Sequence, residues 1–209
     1  GQLAAAGIKK VTLELGGKSA FIVAPDADMD AALNAAVRSC YVNNGQTCTA
    51  TTRLLVPADR LDEVERRLVE LVGSQTIGDP LDETVDVGPM ASQDQQQSVL
   101  KHLADVPADA TFLVGGPRDV DGLDERLRSG YFVRPTVVSR VDNNTPIARD
   151  EVFGPVLAVL TYQDIDDAVA ITNDSEYGLS GAVFAADDAK MTSRATEAAT
   201  PLSTGVRAV

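Results

Sequence analysis

Short apolar runs alternating with helical stretches extend along this chain, and few architectures accept that order. The clearest unit has three parts: Ala20 to Ala24 reads as a buried strand, Asp28 to Asn43 as a helix, and Arg53 to Val56 as a second strand. In the helix, Met29, Ala32, Leu33, Ala36, Val37, Cys40 and Tyr41 fall at the i, i+3, i+4, i+7 spacing of one apolar face, which buries Cys40. Acids occupy its first turn and Gly45 follows its end, as the helix dipole and a left-handed stop require. Strand, helix and strand in this order predict an α/β fold, a twisted, mostly parallel open sheet flanked by helices. Further strands are expected at Val11 to Leu15, Thr111 to Val114, Val156 to Leu160 and Ala182 to Ala185. Further helices are expected at Asp59 to Val72, with Asp59 as start signal and Gly73 as stop, and at Gln93 to Ala104, Asp164 to Thr172 and Asp188 to Ala198. Gly115-Gly116 lacks the rest of a phosphate-binding fingerprint and reads as a turn, and the polar stretch Pro117 to Gly130 as a surface excursion.

A length of 209 residues suits one or at most two domains and allows a sizeable core. No apolar run approaches the roughly 20 residues of a membrane span, and no signal segment precedes the first strand. With 31 acidic against 18 basic residues the net charge is −13, which repels phosphate backbones, so neither nucleic acid nor membrane is an expected partner. Two cysteines make no disulfide framework, and one His cannot complete a Cys/His zinc site, so no metal is expected and reduced cytosol is the default compartment.

Two segments carry the chemistry: Leu13-Glu14-Leu15-Gly16-Gly17-Lys18-Ser19 and Asn44-Gly45-Gln46-Thr47-Cys48. Both set a reactive side chain in a glycine-marked turn. Cys48 falls beyond the Gly45 stop and outside the helical period. A free thiol is only a few per cent thiolate at neutral pH, so it needs backbone N–H groups or a neighbouring base, which a turn into a new helix would supply. Glu14 sits in or at the end of an apolar strand, where Val11, Leu13 and Leu15 would desolvate the carboxylate and make it a better base. Such a thiol can attack a carbonyl carbon and hold it as a thioester, and such a carboxylate can activate the water that releases it. Lys18, after a glycine pair, reads as a solvated charge.

Both motifs, in this order and at this spacing, resemble the glutamate and cysteine signatures of the aldehyde dehydrogenase superfamily. The resemblance continues through Tyr131-Phe132-Val133-Arg134-Pro135-Thr136, Asp150-Glu151-Val152-Phe153-Gly154-Pro155-Val156 and Asn173-Asp174-Ser175-Glu176-Tyr177-Gly178-Leu179. It implies that Cys48 adds to an aldehyde, that hydride passes to NAD or NADP, and that Glu14 activates water to hydrolyse the thioester. The presence of Glu14 argues against the coenzyme A-acylating branch. Glu151 and Phe153 match the family positions that hold the nicotinamide ribose and ring, and Leu15 and Gly16 would add main-chain contacts to the carboxamide. Family members are longer, with a dinucleotide-binding domain upstream and a bridging strand downstream. Residues 1–209 are therefore expected to be the catalytic domain of a longer, homo-oligomeric, cytoplasmic protein, weak or inactive alone.

Two other readings stand beside this one. A thiol hydrolase or esterase would use Cys48 with a base, for which His102 is the sole histidine. A noncatalytic interaction domain would keep the motifs as packing relics.

Overall fold

The computed structural model describes residues 2–118 and 120–186, so the helix expected over Asp188 to Ala198 lies outside the described residues. Among the described residues six strands form one sheet: β1 (Ser19–Val23), β2 (Thr51–Pro57), β3 (Thr111–Val114), β4 (Thr136–Ser139), β5 (Val156–Tyr162) and β6 (Gly181–Phe184). Their spatial order is β3-β4-β5-β2-β1-β6. Every pairing is parallel except β3 with β4. The expected fold class is the one observed.

The helices are α1 (Gln2–Ala6), α2 (Met29–Tyr41), α3 (Leu61–Gly73), α4 (Gln93–Ala104), α5 (Pro146–Arg149) and α6 (Ile165–Asn173). On α2 the buried set is the one the periodicity named, and Asp28 caps the helix by accepting from the Ala31 N–H at 3.1 Å. Asp164 caps α6 in the same way, through the Asp167 N–H at 2.9 Å. Asp59 does not start α3: it lies in a tight turn at Ala58–Arg60, and Arg60 holds the cap position without a side-chain bond.

Because β1, β2 and β5 are interior parallel strands, both of their faces are buried and side chains alternate between two cores. Phe21, Val23, Leu54, Val56, Leu157 and Val159 meet α2 and α3, whereas Ala20, Ile22, Leu55, Ala158 and Leu160 meet α4, α5 and α6. Strand β4 was not among the expected strands. Its Val137 and Val138 divide between the two cores, and the run is too short between Pro135 and Arg140 to alternate visibly. The Gly115-Gly116 pair does turn the chain, with φ of +75° and +96°, and the Gly116 N–H donates to Thr136 Oγ1 at 3.0 Å.

The expected strand Val11 to Leu15 does not form. Residues 9–18 carry no regular structure, and Val11, Leu13 and Leu15 are exposed, Leu13 by 61%. An apolar run of five predicts burial only if something covers it, and no described element does.

Candidate active site

Parallel pairing sets the amino ends of β1, β2 and β5 side by side, and three segments distant in sequence meet there. They are Gly16–Lys18 before β1, Gly45–Ala50 before β2 and Glu151–Gly154 before β5. Open parallel sheets usually carry ligands at the carboxyl ends of their strands, so this gathering is at the less usual edge.

Glycines make the meeting close. At Gly45, φ is +71° and a Cβ would run into the Gly154 carbonyl, so the turn after α2 crosses the β5 approach main chain to main chain. A Cβ at Gly17 would stand 2.6 Å from the Cys48 carbonyl oxygen, which sets the first motif against the second. A Cβ at Gly16 would occupy the space of the Glu151 carboxylate, and the Gly17 N–H donates to Glu151 Oε1 at 3.1 Å. The structure thus brings Gly16, Cys48 and Glu151 into one neighbourhood.

The thiol turn is shaped before β2 begins. Asn43 and Asn44 both adopt left-handed backbone, φ 52° and 56°, a conformation asparagine tolerates better than most residues. The Asn44 side chain donates to the Pro89 carbonyl at 2.9 Å and accepts from the Gly88 N–H at 3.2 Å. The Ala50 N–H closes a turn on the Thr47 carbonyl at 3.0 Å, and the Ser180 hydroxyl donates to the Thr49 carbonyl at 3.0 Å. Cys48 is half-buried inside that turn. It leads into strand β2 and not into a new helix, so a helix amino terminus is not what surrounds the sulfur. Cys40 differs in every respect. It is fully buried on α2, its Sγ faces the Val156 carbonyl at 3.6 Å, and burial pushes its thiol up to about 12.

Glu14 is exposed, not desolvated within a strand, which corrects the sequence expectation. It precedes Gly17 by three residues, so at most about 10 Å of extended chain separates it from the contact with Cys48. Leu15 is 57% exposed beside it. Phe153 is half-buried and also left-handed, φ 52°, a conformation that costs an aromatic residue roughly 1–3 kcal/mol. Gln95 of α4 offsets that cost by donating to the Val152 carbonyl at 3.0 Å and the Phe153 carbonyl at 2.9 Å. The sequence gives Gln95 no role and places Asn43 at the end of the helix, which stops at Tyr41 because Asn43 and Asn44 turn left-handed. The Asn-Asn-Gly run was a usable signal for left-handed backbone, whereas nothing local marks Gln95.

Lys18 overturns its expected exposure. It is 1% exposed, and its Nζ has no hydrogen-bond partner. Burial is the first cause of a pKa lowered to about 8, with Cys40, Asp150 and Glu151 acting in the opposite direction and Arg53 reinforcing it. Arg53 on β2 is 2% exposed and makes four hydrogen bonds: Nε donates to the Lys18 carbonyl at 2.9 Å, Nη1 to the Ile171 carbonyl and Asn143 Oδ1, and Nη2 to the Thr172 carbonyl. Burial, then Arg149, lowers it to about 10. His102 is engaged elsewhere, with Nδ1 2.8 Å from the Ser98 carbonyl and Nε2 3.7 Å from Asp150 Oδ2.

The family model for the aldehyde dehydrogenase family matches residues 1–206. The chain belongs to that family. Among curated aldehyde dehydrogenases, it is 46% identical over 180 residues to a geranial dehydrogenase of Castellaniella defragrans, covering 86% of this chain and 36% of that one. It is 42% identical over 187 residues to a betaine aldehyde dehydrogenase of Rhizobium leguminosarum, covering 88% and 37%. Among solved structures, a mutant of aldehyde dehydrogenase C from Pseudomonas syringae, complexed with NAD+ and octanal, superposes with a TM-score of 0.88 at 39% identity, over 99% of this chain and 43% of that one. An aldehyde dehydrogenase of Mycobacterium tuberculosis complexed with NAD+ gives 0.87 at 39% identity, over 96% and 41%. The chain spans well under half the length of these relatives.

Proposed function

We propose that residues 1–209 are the thiol-bearing catalytic domain of a longer NAD(P)-dependent aldehyde dehydrogenase that oxidises a small-molecule aldehyde to the carboxylic acid. The observation that carries this reading is the convergence of Gly16–Gly17, Cys48 and Glu151 at one sheet edge through contacts that leave no room for side chains. Family membership and the NAD+ complexes of the solved relatives support it.

The residues present fit one end of a nicotinamide cofactor. Glu151 spends one oxygen on the Gly17 N–H, and an ionised carboxylate has lone pairs to spare for ribose hydroxyls. Phe153 offers an aromatic wall beside it, and the main chain of Leu15 and Gly16 can meet the carboxamide. When bound, the cofactor supplies the hydride acceptor.

In the proposed sequence Cys48 Sγ forms a bond to the aldehyde carbon, giving a thiohemiacetal on the protein. After oxidation, Cys48 holds the carbon as a thioester. Glu14 then takes a proton from water, the water oxygen bonds to the acyl carbon, and the carbon–sulfur bond breaks to release acid and thiol. Glu14 and the apolar Leu13 and Leu15 beside it are exposed, a surface that further polypeptide of the full-length enzyme would cover. With only the nicotinamide end of the cofactor site present, the chain alone binds NAD weakly. Micromolar affinity by calorimetric titration would overturn the domain assignment.

The test uses the full-length protein. Reduced cofactor should form from an aldehyde, and Cys48→Ser should abolish it. Turnover of activated esters with no aldehyde-dependent reduction of NAD or NADP would instead favour a thiol esterase, a reading weakened by the other partners of His102.

A further inference from the structure

Helix α4 and the residues just before it touch both halves of the site. The Ala91 N–H donates to Gln46 Oε1 at 2.9 Å, two residues short of Cys48 in the thiol turn. Asn44 of the same turn donates to the Pro89 carbonyl and accepts from the Gly88 N–H. Ser92 then caps α4, its Oγ accepting from the Gln95 N–H at 3.2 Å. From that first turn the Gln95 side chain reaches the other half of the site, where Nε2 donates to the Val152 carbonyl at 3.0 Å and the Phe153 carbonyl at 2.9 Å. Four residues on and on the same helix face, Val99 closes against Gly154, where a Cβ would stand 2.5 Å from its Cγ2.

Phe153 has φ of +52°, a conformation that an aromatic residue keeps only where its surroundings impose it. A primary amide carries two N–H bonds, and Gln95 spends both on successive carbonyls. Those carbonyls lie on either side of the Phe153 Cα, so the two bonds bracket both of its backbone dihedrals. A side chain with no donor, or with one, cannot make that grip.

We propose that Gln95 is a positioning residue: its amide holds Phe153 in left-handed backbone and, through the start of α4, fixes the aromatic wall of the nicotinamide site relative to the thiol turn. The proposal rests on the cofactor role assigned to Phe153 above. Gln95 acts on the main chain and needs no contact with the cofactor. Glu151 has its own hold in the Gly17 N–H, which leaves the ring of Phe153 as what Gln95 places.

Two variants of the full-length protein test this. Gln95→Met keeps the length of the side chain and removes both donors. Gln95→Glu keeps the shape and makes donation conditional: the ionised carboxylate offers no hydrogen to the two carbonyls, whereas the carboxylic acid donates once. Facing two carbonyl oxygens disfavours the charged form, so that carboxyl should titrate above the ordinary value of about 4.3. NAD is titrated calorimetrically into wild type and both variants between about pH 5 and about pH 8. Gln95→Met should bind roughly tenfold more weakly than wild type throughout. Gln95→Glu should match Gln95→Met at the upper end and recover toward wild type as pH falls, because protonation restores a donor. A side chain that serves only packing would let Gln95→Glu bind like wild type at every pH, and that result overturns the proposal. If Gln95→Met does not fold, the Gln95→Glu series decides alone: an affinity relative to wild type that does not change with pH overturns it.

Crystals of cofactor-free Gln95→Met, or of Gln95→Glu at the upper pH, give a readout independent of NAD. Phe153 should leave the left-handed region in them. Weakened NAD binding with Phe153 unmoved would mean that Gln95 meets the cofactor directly, and that too overturns the positioning role. A wild-type protein that binds no NAD would refute the functional reading, while the crystals would still test the hold of Gln95 on Phe153.

Discussion

The main-chain N–H of Gly17 and the carboxylate of Glu151, 134 positions apart, are joined at 3.1 Å, and this bond ties the segment that carries Glu14 to the loop before β5. Neither partner is part of a strand or helix. The bond therefore exists because β1 and β5 both flank β2, which carries their amino ends to the same edge of the sheet.

Gly16 and Gly45 should respond differently to the same substitution. Gly16→Ala meets the end of a flexible side chain, so the fold should survive and Glu151 should be displaced, raising KM for NAD with little change in melting temperature. Gly45→Ala meets the Gly154 backbone and adds left-handed strain, and should cost at least about 2 kcal/mol. Urea denaturation of the two variants beside wild type checks the contrast.

The two thiols should also separate. Cys40 is inaccessible and its thiol is pushed up to about 12, whereas Cys48 is half-buried in a turn. Under native conditions iodoacetamide should modify Cys48 first by a wide margin. Peptide mapping after limited alkylation reads this directly, and faster modification of Cys40 would remove Cys48 from the proposed role.

Glu14→Gln keeps the thiol and removes the proposed base. With an activated ester the full-length variant should give a burst of product, then a steady rate lower by roughly 10²- to 10⁴-fold. Loss of the burst in a folded protein would mean that Glu14 acts on the thiol. An unchanged time course would mean that another group activates water.

Arg53→Met should be among the more damaging substitutions in the chain. It leaves the Lys18, Ile171 and Thr172 carbonyls without their donor. Buried acceptors left unsatisfied cost roughly 1–3 kcal/mol each, so a loss of about 3 kcal/mol or more is expected in urea denaturation.

The helix face from Met29 to Tyr41 and the two-sided burial of the interior strands were legible because periodicity reports how a segment packs against its own sheet. What failed was inference from residue type without knowledge of the cover. Val11 to Leu15 has the composition of a strand but lies bare, and Lys18 has the composition of a surface residue but is buried. The site was legible as a set of glycine-marked turns. Its assembly was not, because the contact of Gly45 with Gly154 and the bond from Gly17 to Glu151 depend on strand order, which one sequence does not state.

The turn around Cys48 is held by the carbonyls of Thr47 and Thr49, and its crossing with the β5 approach is glycine on glycine. Any L-residue at 47 or 49 presents the same carbonyls. Those two positions are thus open to diversification: a library that varies both side chains leaves the backbone of the thiol turn unchanged, while the neighbouring glycines are the positions such a library must leave alone.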